Sequence, residues 1–245
     1  MDTPAEAGYA ASWTTEGTSG ENTVTEAEWL ECTEPEKMLE FLRDSGSASD
    51  RKLRLFGCAC CRRVWHHMDK YSRMAIGLAE KYTDATAARW KRVWYKVTTW
   101  PGGGWWEAGG HRHGRSRMAA FLMVNRSVGV EDLMEAKFAL SGLEEALQGV
   151  AQCHLLHDLF GNPFGLVALD PAWLSWHGGT VVKLAHAAYE ERHLPAGTLD
   201  NGRLAVLGDA LEEAGCTDSD ILGHLRGPGP HVRGCWAVDL ILGKE

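Results

Sequence analysis

DRKLRLFGCACCRRVWHHM, residues 50–68, sets the fold class. Leu53, Phe56, Cys60 and Val64 recur at spacings of three, four and four, which places them along one buried helical stripe. Leu55, Ala59 and Cys61 broaden that stripe, and Arg51, Lys52, Arg54, Arg62 and Arg63 fill its margins. The pattern predicts a helix from Ser49 or Asp50 to about Met68.

Outward from this segment the helical period persists. On the N-terminal side, Thr25-Glu26-Ala27-Glu28 reads as a capping box opening a short helix, and Thr33-Glu34-Pro35-Glu36 repeats the signal before Met38, Leu39, Phe41 and Leu42. On the C-terminal side, helices are predicted over 72–82, 84–97, 117–124 and 131–160, the last stopped by Gly161-Asn162-Pro163. Further helices follow after Asp170-Pro171, over 180–193, over 202–214 and after Thr217-Asp218. A final helix starts in the first turn at Pro230 and runs to Leu242. No period-two run interrupts the series. The chain reads as all-α: an irregular multi-helix domain over 25–245, preceded by a flexible segment over 1–24. Residues 99–116 read as a long Gly/Trp-rich loop insertion, and a helix–loop–helix corner forms the C-terminal end.

At 245 residues the chain buries about three quarters of its unfolded surface, so folding needs neither disulfide nor metal. The start MDTPAEAGYAA lacks the basic opening and apolar core of a signal peptide. No apolar run is long enough to cross a bilayer. These features predict a cytoplasmic protein, not inserted in a membrane, with its seven cysteines reduced. The net charge of −8 hides three blocks of −10 (1–50), +12 (51–130) and −10 (131–245). Packing of the middle block against its flanks accounts for this pattern, as does a basic surface for an acidic partner or nucleic acid.

Two regions carry chemistry. In the central one, Trp100, Trp105 and Trp106 stand beside Arg112, Arg115 and Arg117. Aromatics that stack and guanidiniums that neutralise phosphate suit DNA or RNA, and an exposed aromatic loop suits a protein partner equally. In the C-terminal one, His224, Arg226, His231, Arg233 and Cys235 surround Gly227-Pro228-Gly229-Pro230. His231 and Cys235, four apart on the predicted final helix, point toward one metal with His224 as third ligand. Cys216 is too far along its helix to complete the set, so zinc would lack a fourth ligand. The simpler reading of the same residues is a hydrogen-bonded loop clamp, and a third is an anion site built on Arg226, Arg233 and free N–H groups after Gly229. Cys153 and His157 form a weaker second pair. No nucleophile elbow, dinucleotide loop or H-E-x-x-H zinc helix is present.

The segments CCRRVW (60–65), FGNPF (160–164), LDPAW (169–173) and GPGPHVRGCW (227–236) resemble those of an uncharacterised protein family of planctomycete bacteria. That resemblance implies a bacterial source and a shared helical domain, and it carries no reaction. The central Gly/Trp/His segment departs from the Ala-rich helical middle of that family. The leading functional expectation is a non-catalytic helical interaction or accessory protein with a protein partner and no cofactor. The alternatives are a nucleic-acid-binding accessory protein and a metal-dependent enzyme using the C-terminal His/Cys cluster, with zinc as its metal.

Overall fold

The computed structural model describes residues 24–85, 89, 95, 119–120, 122–123, 128–140, 149–165 and 167–244. Apart from Val24, the N-terminal segment 1–24 lies outside them, as does the 99–116 insertion. The helices are α1 (Glu26–Leu30), α2 (Pro35–Asp44), α3 (Asp50–Arg63), α4 (Lys70–Tyr82), α5 (Val130–Leu140), α6 (Gly149–Phe160), α7 (Pro171–Glu190), α8 (Asn201–Glu213), α9 (Ser219–Arg226) and α10 (Trp236–Leu242). The expected all-α, irregular multi-helix fold is what forms.

Local chemistry explains most helix starts and stops. At α1 the capping box is complete: the Thr25 hydroxyl accepts from the Glu28 N–H, and the Glu28 carboxylate accepts from the Thr25 N–H. The expected second box is absent. α2 begins at Pro35 behind an extended Glu34 with no side-chain cap, because proline in the first turn has no N–H to satisfy. α3 is capped by Ser49 and ends at Arg63, five residues short of the expected Met68; the 3₁₀ turn Trp65–His67 follows it. Two of its supposed margin residues are buried, Arg54 at 4% exposure and Arg62 at 7%. Arg62 tolerates this because Glu80 on α4 grips its guanidinium in two places, at 2.5 and 2.6 Å, and the Pro195 carbonyl accepts a third bond at 2.7 Å.

α7 joins the two helices expected on either side of residue 175. A kink divides it, where His177, Gly178 and Gly179 all have positive φ. A two-stranded ladder, β1 (Arg192–His193) with β2 (Thr198–Leu199), appears where the sequence predicts no strand. Two residues per strand are too few to leave a period-two signature.

Among the described residues the buried apolar side chains form two clusters. Trp29, Met38, Leu42, Leu55, Phe56, Ile76 and Leu156 belong to one, built on α1 to α6. Val181, Tyr189, Leu204, Leu207, Leu211, Leu225 and Val238 belong to the other, built on α7 to α10. The seam between them is polar. Asp239 of α10, 1% exposed, accepts two bonds from Arg51 of α3 at 2.6 and 3.0 Å and pairs with Lys52 at 2.6 Å. Arg51 also donates to Asp84 at 2.6 Å and to the Tyr189 hydroxyl at 2.7 Å. Lys244 closes the network on Asp84 at 2.6 Å.

Two tests follow from the seam. Replacing Asp239 by Asn leaves Lys52 without a carboxylate partner and Arg51 with Asp84 alone. Urea denaturation should register a loss of about 3–5 kcal/mol, and an unchanged midpoint would contradict the role given to the carboxylate. Burial pushes the Asp84 carboxyl up, but the bonds from Lys244 and Arg51 outweigh it and hold it down at about 2. A folded value below the unfolded one stabilises the protein above pH ~4, and that contribution disappears as pH falls toward 2. Asp84→Asn should therefore cost up to about 2 kcal/mol at neutral pH and flatten the acid limb of the stability profile between those values.

Candidate metal centre

Four chain segments meet at the C-terminal corner. α6 supplies Asp158 from between Leu156 and Leu159, and all three are at most 2% exposed. α9, capped by the Asp218 carboxylate on the N–H groups of Asp220 and Ile221, supplies His224 one turn before its end. The Gly227–Gly234 loop supplies His231, and the residue at the N-cap of α10 is Cys235. The loop is tethered on both sides. Asn201 donates to the Pro228 carbonyl at 2.9 Å, the Leu199 N–H donates to the His231 carbonyl at 2.8 Å, and Val232 bridges to Thr198.

Two glycines let the loop pass this close. Gly229, at φ +81°, would place a Cβ 2.8 Å from the His231 nitrogen. Gly234, at φ +95°, would drive one to 2.6 Å from Leu55 and 2.8 Å from Leu159. These turns also correct the expected final helix. It begins at Trp236 rather than Pro230, so His231 and Cys235 converge through a turn and share no helical face.

One donor atom from each of Asp158, His224, His231 and Cys235 lies within 4.8 Å of the other three. Asp158 Oδ1 is 2.8 Å from His231 Nδ1 and 3.1 Å from His224 Nε2, which is itself 3.1 Å from Cys235 Sγ. Tetrahedral zinc, with ligands at 2.0–2.3 Å, spaces them about 3.3–3.6 Å apart. To admit such an ion these three pairs open by a few tenths of an ångström, and the wider pairs, within 4.8 Å, close. These four side chains are capable of coordinating a metal.

The surrounding bonds orient the donors. Asp158 Oδ2 accepts the Val232 N–H at 2.8 Å, which leaves Oδ1 for the centre. His231 Nε2 lies 3.3 Å from the Gly227 carbonyl, a second contact of the kind that sets the tautomer of a metal-bound histidine. Either neutral tautomer leaves one ring lone pair facing an oxygen, Nδ1 toward Asp158 at 2.8 Å or Nε2 toward the Gly227 carbonyl. A proton or a cation resolves that conflict. Without metal the surroundings favour a proton: burial pushes the His231 imidazole down, but Asp158 outweighs it and raises it above its ordinary value. Burial likewise pushes Asp158 up, and hydrogen bonds from the two histidines bring its carboxyl below the usual range. Burial, with Asp158 nearby, pushes the Cys235 thiol well up. A bound divalent cation would reverse that by taking the thiolate as ligand.

The structure thus brings His224, His231 and Cys235 together and adds Asp158, which the sequence reading left beside the Cys153/His157 pair. Its signal was a lone carboxylate in the apolar run LLHDLF, because a buried charge demands a partner. Cys153 and His157 are outside the convergent set. Cys153 is buried in the first core, and His157 Nε2 lies 2.8 Å from the Trp29 carbonyl. Cys216 is buried in the second core, also away from the cluster. Arg226 pairs with Asp209 and Glu212 on the surface. Arg233, 8% exposed, lies over the Tyr189 ring at 4.5 Å and pairs with Glu190. Trp100, Trp105, Trp106, Arg112, Arg115 and Arg117 lie outside the described residues. No described helix is long and apolar enough to cross a membrane.

The chain matches no protein-family model, no curated protein and no solved structure.

Substitution at Gly234 tests the turn that sets Cys235. Gly234→Ala combines an unfavourable φ with a clash against two core leucines and should cost about 2 kcal/mol or more. A thermal midpoint equal to that of the parent protein would show that the turn is not constrained as described.

Proposed function

We propose that this chain is a zinc-binding helical protein whose metal is held by Asp158, His224, His231 and Cys235. The observation that carries this reading is the convergence of four donors, from segments far apart in sequence, within 4.8 Å. The donor chemistry favours zinc. Imidazole, thiolate and a single carboxylate suit a borderline-soft ion with tetrahedral preference, whereas calcium and magnesium select oxygen. The ion would clasp α6, α9 and the N-cap of α10. The partner classes open to the sequence, protein or nucleic acid, rest on the central aromatic segment; the metal reading rests on described side chains.

Protein purified without a polyhistidine tag and equilibrated with zinc should retain about one ion per chain by elemental analysis. Cobalt substitution should add an intense thiolate-to-metal band in the near ultraviolet. His224→Ala, at the least buried ligand, should weaken binding by more than about a hundredfold while circular dichroism shows the helices intact. Cys235→Ser should abolish the cobalt–thiolate band. Protein that retains no zinc after dialysis, or that binds it equally in both variants, would falsify the assignment.

A further inference from the structure

Three of the four ligands are sealed: Asp158, His231 and Cys235 are at most 3% exposed. His224 is different, with 19% of its side chain exposed, and it lines a cleft of about 710 Å³ between the two cores. Small-molecule sites fall in the range of about 300–1,000 Å³. The walls combine apolar side chains, Leu30, Val167, Trp236 and Leu240, with the ammonium of Lys52. Asp239 also reaches the cleft, but its charge is committed to Arg51 and Lys52. Lys244 is committed to Asp84, and Asp220 stands in the exposed first turn of α9.

We propose that this cleft binds a small carboxylate with an apolar tail, its head group meeting the metal on the His224 side. The inference rests on the zinc reading. The metal selects the head group: a divalent ion behind His224 favours an anion at the inner wall, where Lys52 is already committed to Asp239 and to the Leu159 and Gly234 carbonyls. The remaining walls select the tail, since leucine, valine and tryptophan gain by covering hydrocarbon and gain nothing from a fully hydrated ion. Zinc has room for the newcomer, because its coordination expands from four to five ligands without electronic penalty. Of the four protein ligands, His224 is the one that borders open space, so it is the ligand beside which the carboxylate enters.

The cobalt-loaded full chain gives a direct readout, since the visible d–d bands of cobalt respond to a change in coordination. Titration with benzoate or octanoate should shift those bands saturably, at concentrations at least tenfold below those acetate requires. Leu30→Glu, at a residue 55% exposed and therefore tolerant of substitution, places a negative charge on the cleft wall. It should raise the half-saturating benzoate concentration by about tenfold, with cobalt stoichiometry unchanged. Leu240→Glu should act in the same direction.

Bound cobalt whose spectrum ignores all three carboxylates up to their solubility would overturn this inference and leave the zinc site standing. Equal potency of acetate and benzoate, or indifference to both glutamate variants, would overturn the role of the cleft. Equal benzoate affinity of metal-free and cobalt-loaded protein, by equilibrium dialysis, would overturn the role of the metal. A chain that takes up no cobalt overturns both readings.

Discussion

Arg51 and Lys52, neighbours on α3, both end on the carboxylate of Asp239, and burial makes that arrangement unforgiving. Only 11% of each cation's side chain is exposed, so the position of α10 is tied to where α3 presents them. The consequences reach the C-terminal corner. Lys52 also donates to the carbonyls of Leu159 and Gly234, at 2.8 and 2.6 Å. One ammonium thereby sets the end of α6, which carries Asp158, against the turn that carries Cys235. The four-donor corner is registered by a residue outside the donor set.

Much of this was legible in the sequence, for reasons that differ by element. The stripe Leu53, Phe56, Cys60 and Val64 exposes α3 because periodicity is local. The same locality hid the partners of its arginines: nothing near Arg62 announces Glu80, eighteen positions on. At the corner, His224, His231 and Cys235 stood out by chemistry even though the geometry first assigned to them was wrong. The spacing of His231 and Cys235 suggested a helical face, whereas Gly229 and Gly234 at positive φ make a turn. Asp158 was invisible as a ligand because α6 meets the corner only in three dimensions. The ladder of β1 and β2 escaped because two-residue strands are held by their neighbours rather than by their own pattern.

The corner's own groups would also accommodate the charge of a bound ion. Without metal, the Asp158 carboxylate favours a proton on His231, and burial favours the neutral thiol of Cys235. A divalent ion would be balanced by the carboxylate and a thiolate. Where His231 carries that proton, its charge and that of Asp158 cancel, as the ion would cancel those of Asp158 and Cys235. In that case filling the site imposes no new charge on the surrounding apolar walls, and the bond from Val232 to Asp158 and the contact of His231 with Gly227 fit both states.

Asp158 and His231 lie 73 positions apart along the chain. An ion gripping both acts as a cross-link, and its effect reaches the unfolded ensemble as well as the native one. Closing a loop of that length removes chain entropy worth about 4 kcal/mol, comparable to a disulfide of the same span. The loop contains α7, α8 and α9, so the second core in particular would be held near its folded topology before its own packing is complete. A metal at this corner would then work as a reversible staple, strong enough to matter against a total stability of about 5–15 kcal/mol, and made without oxidation.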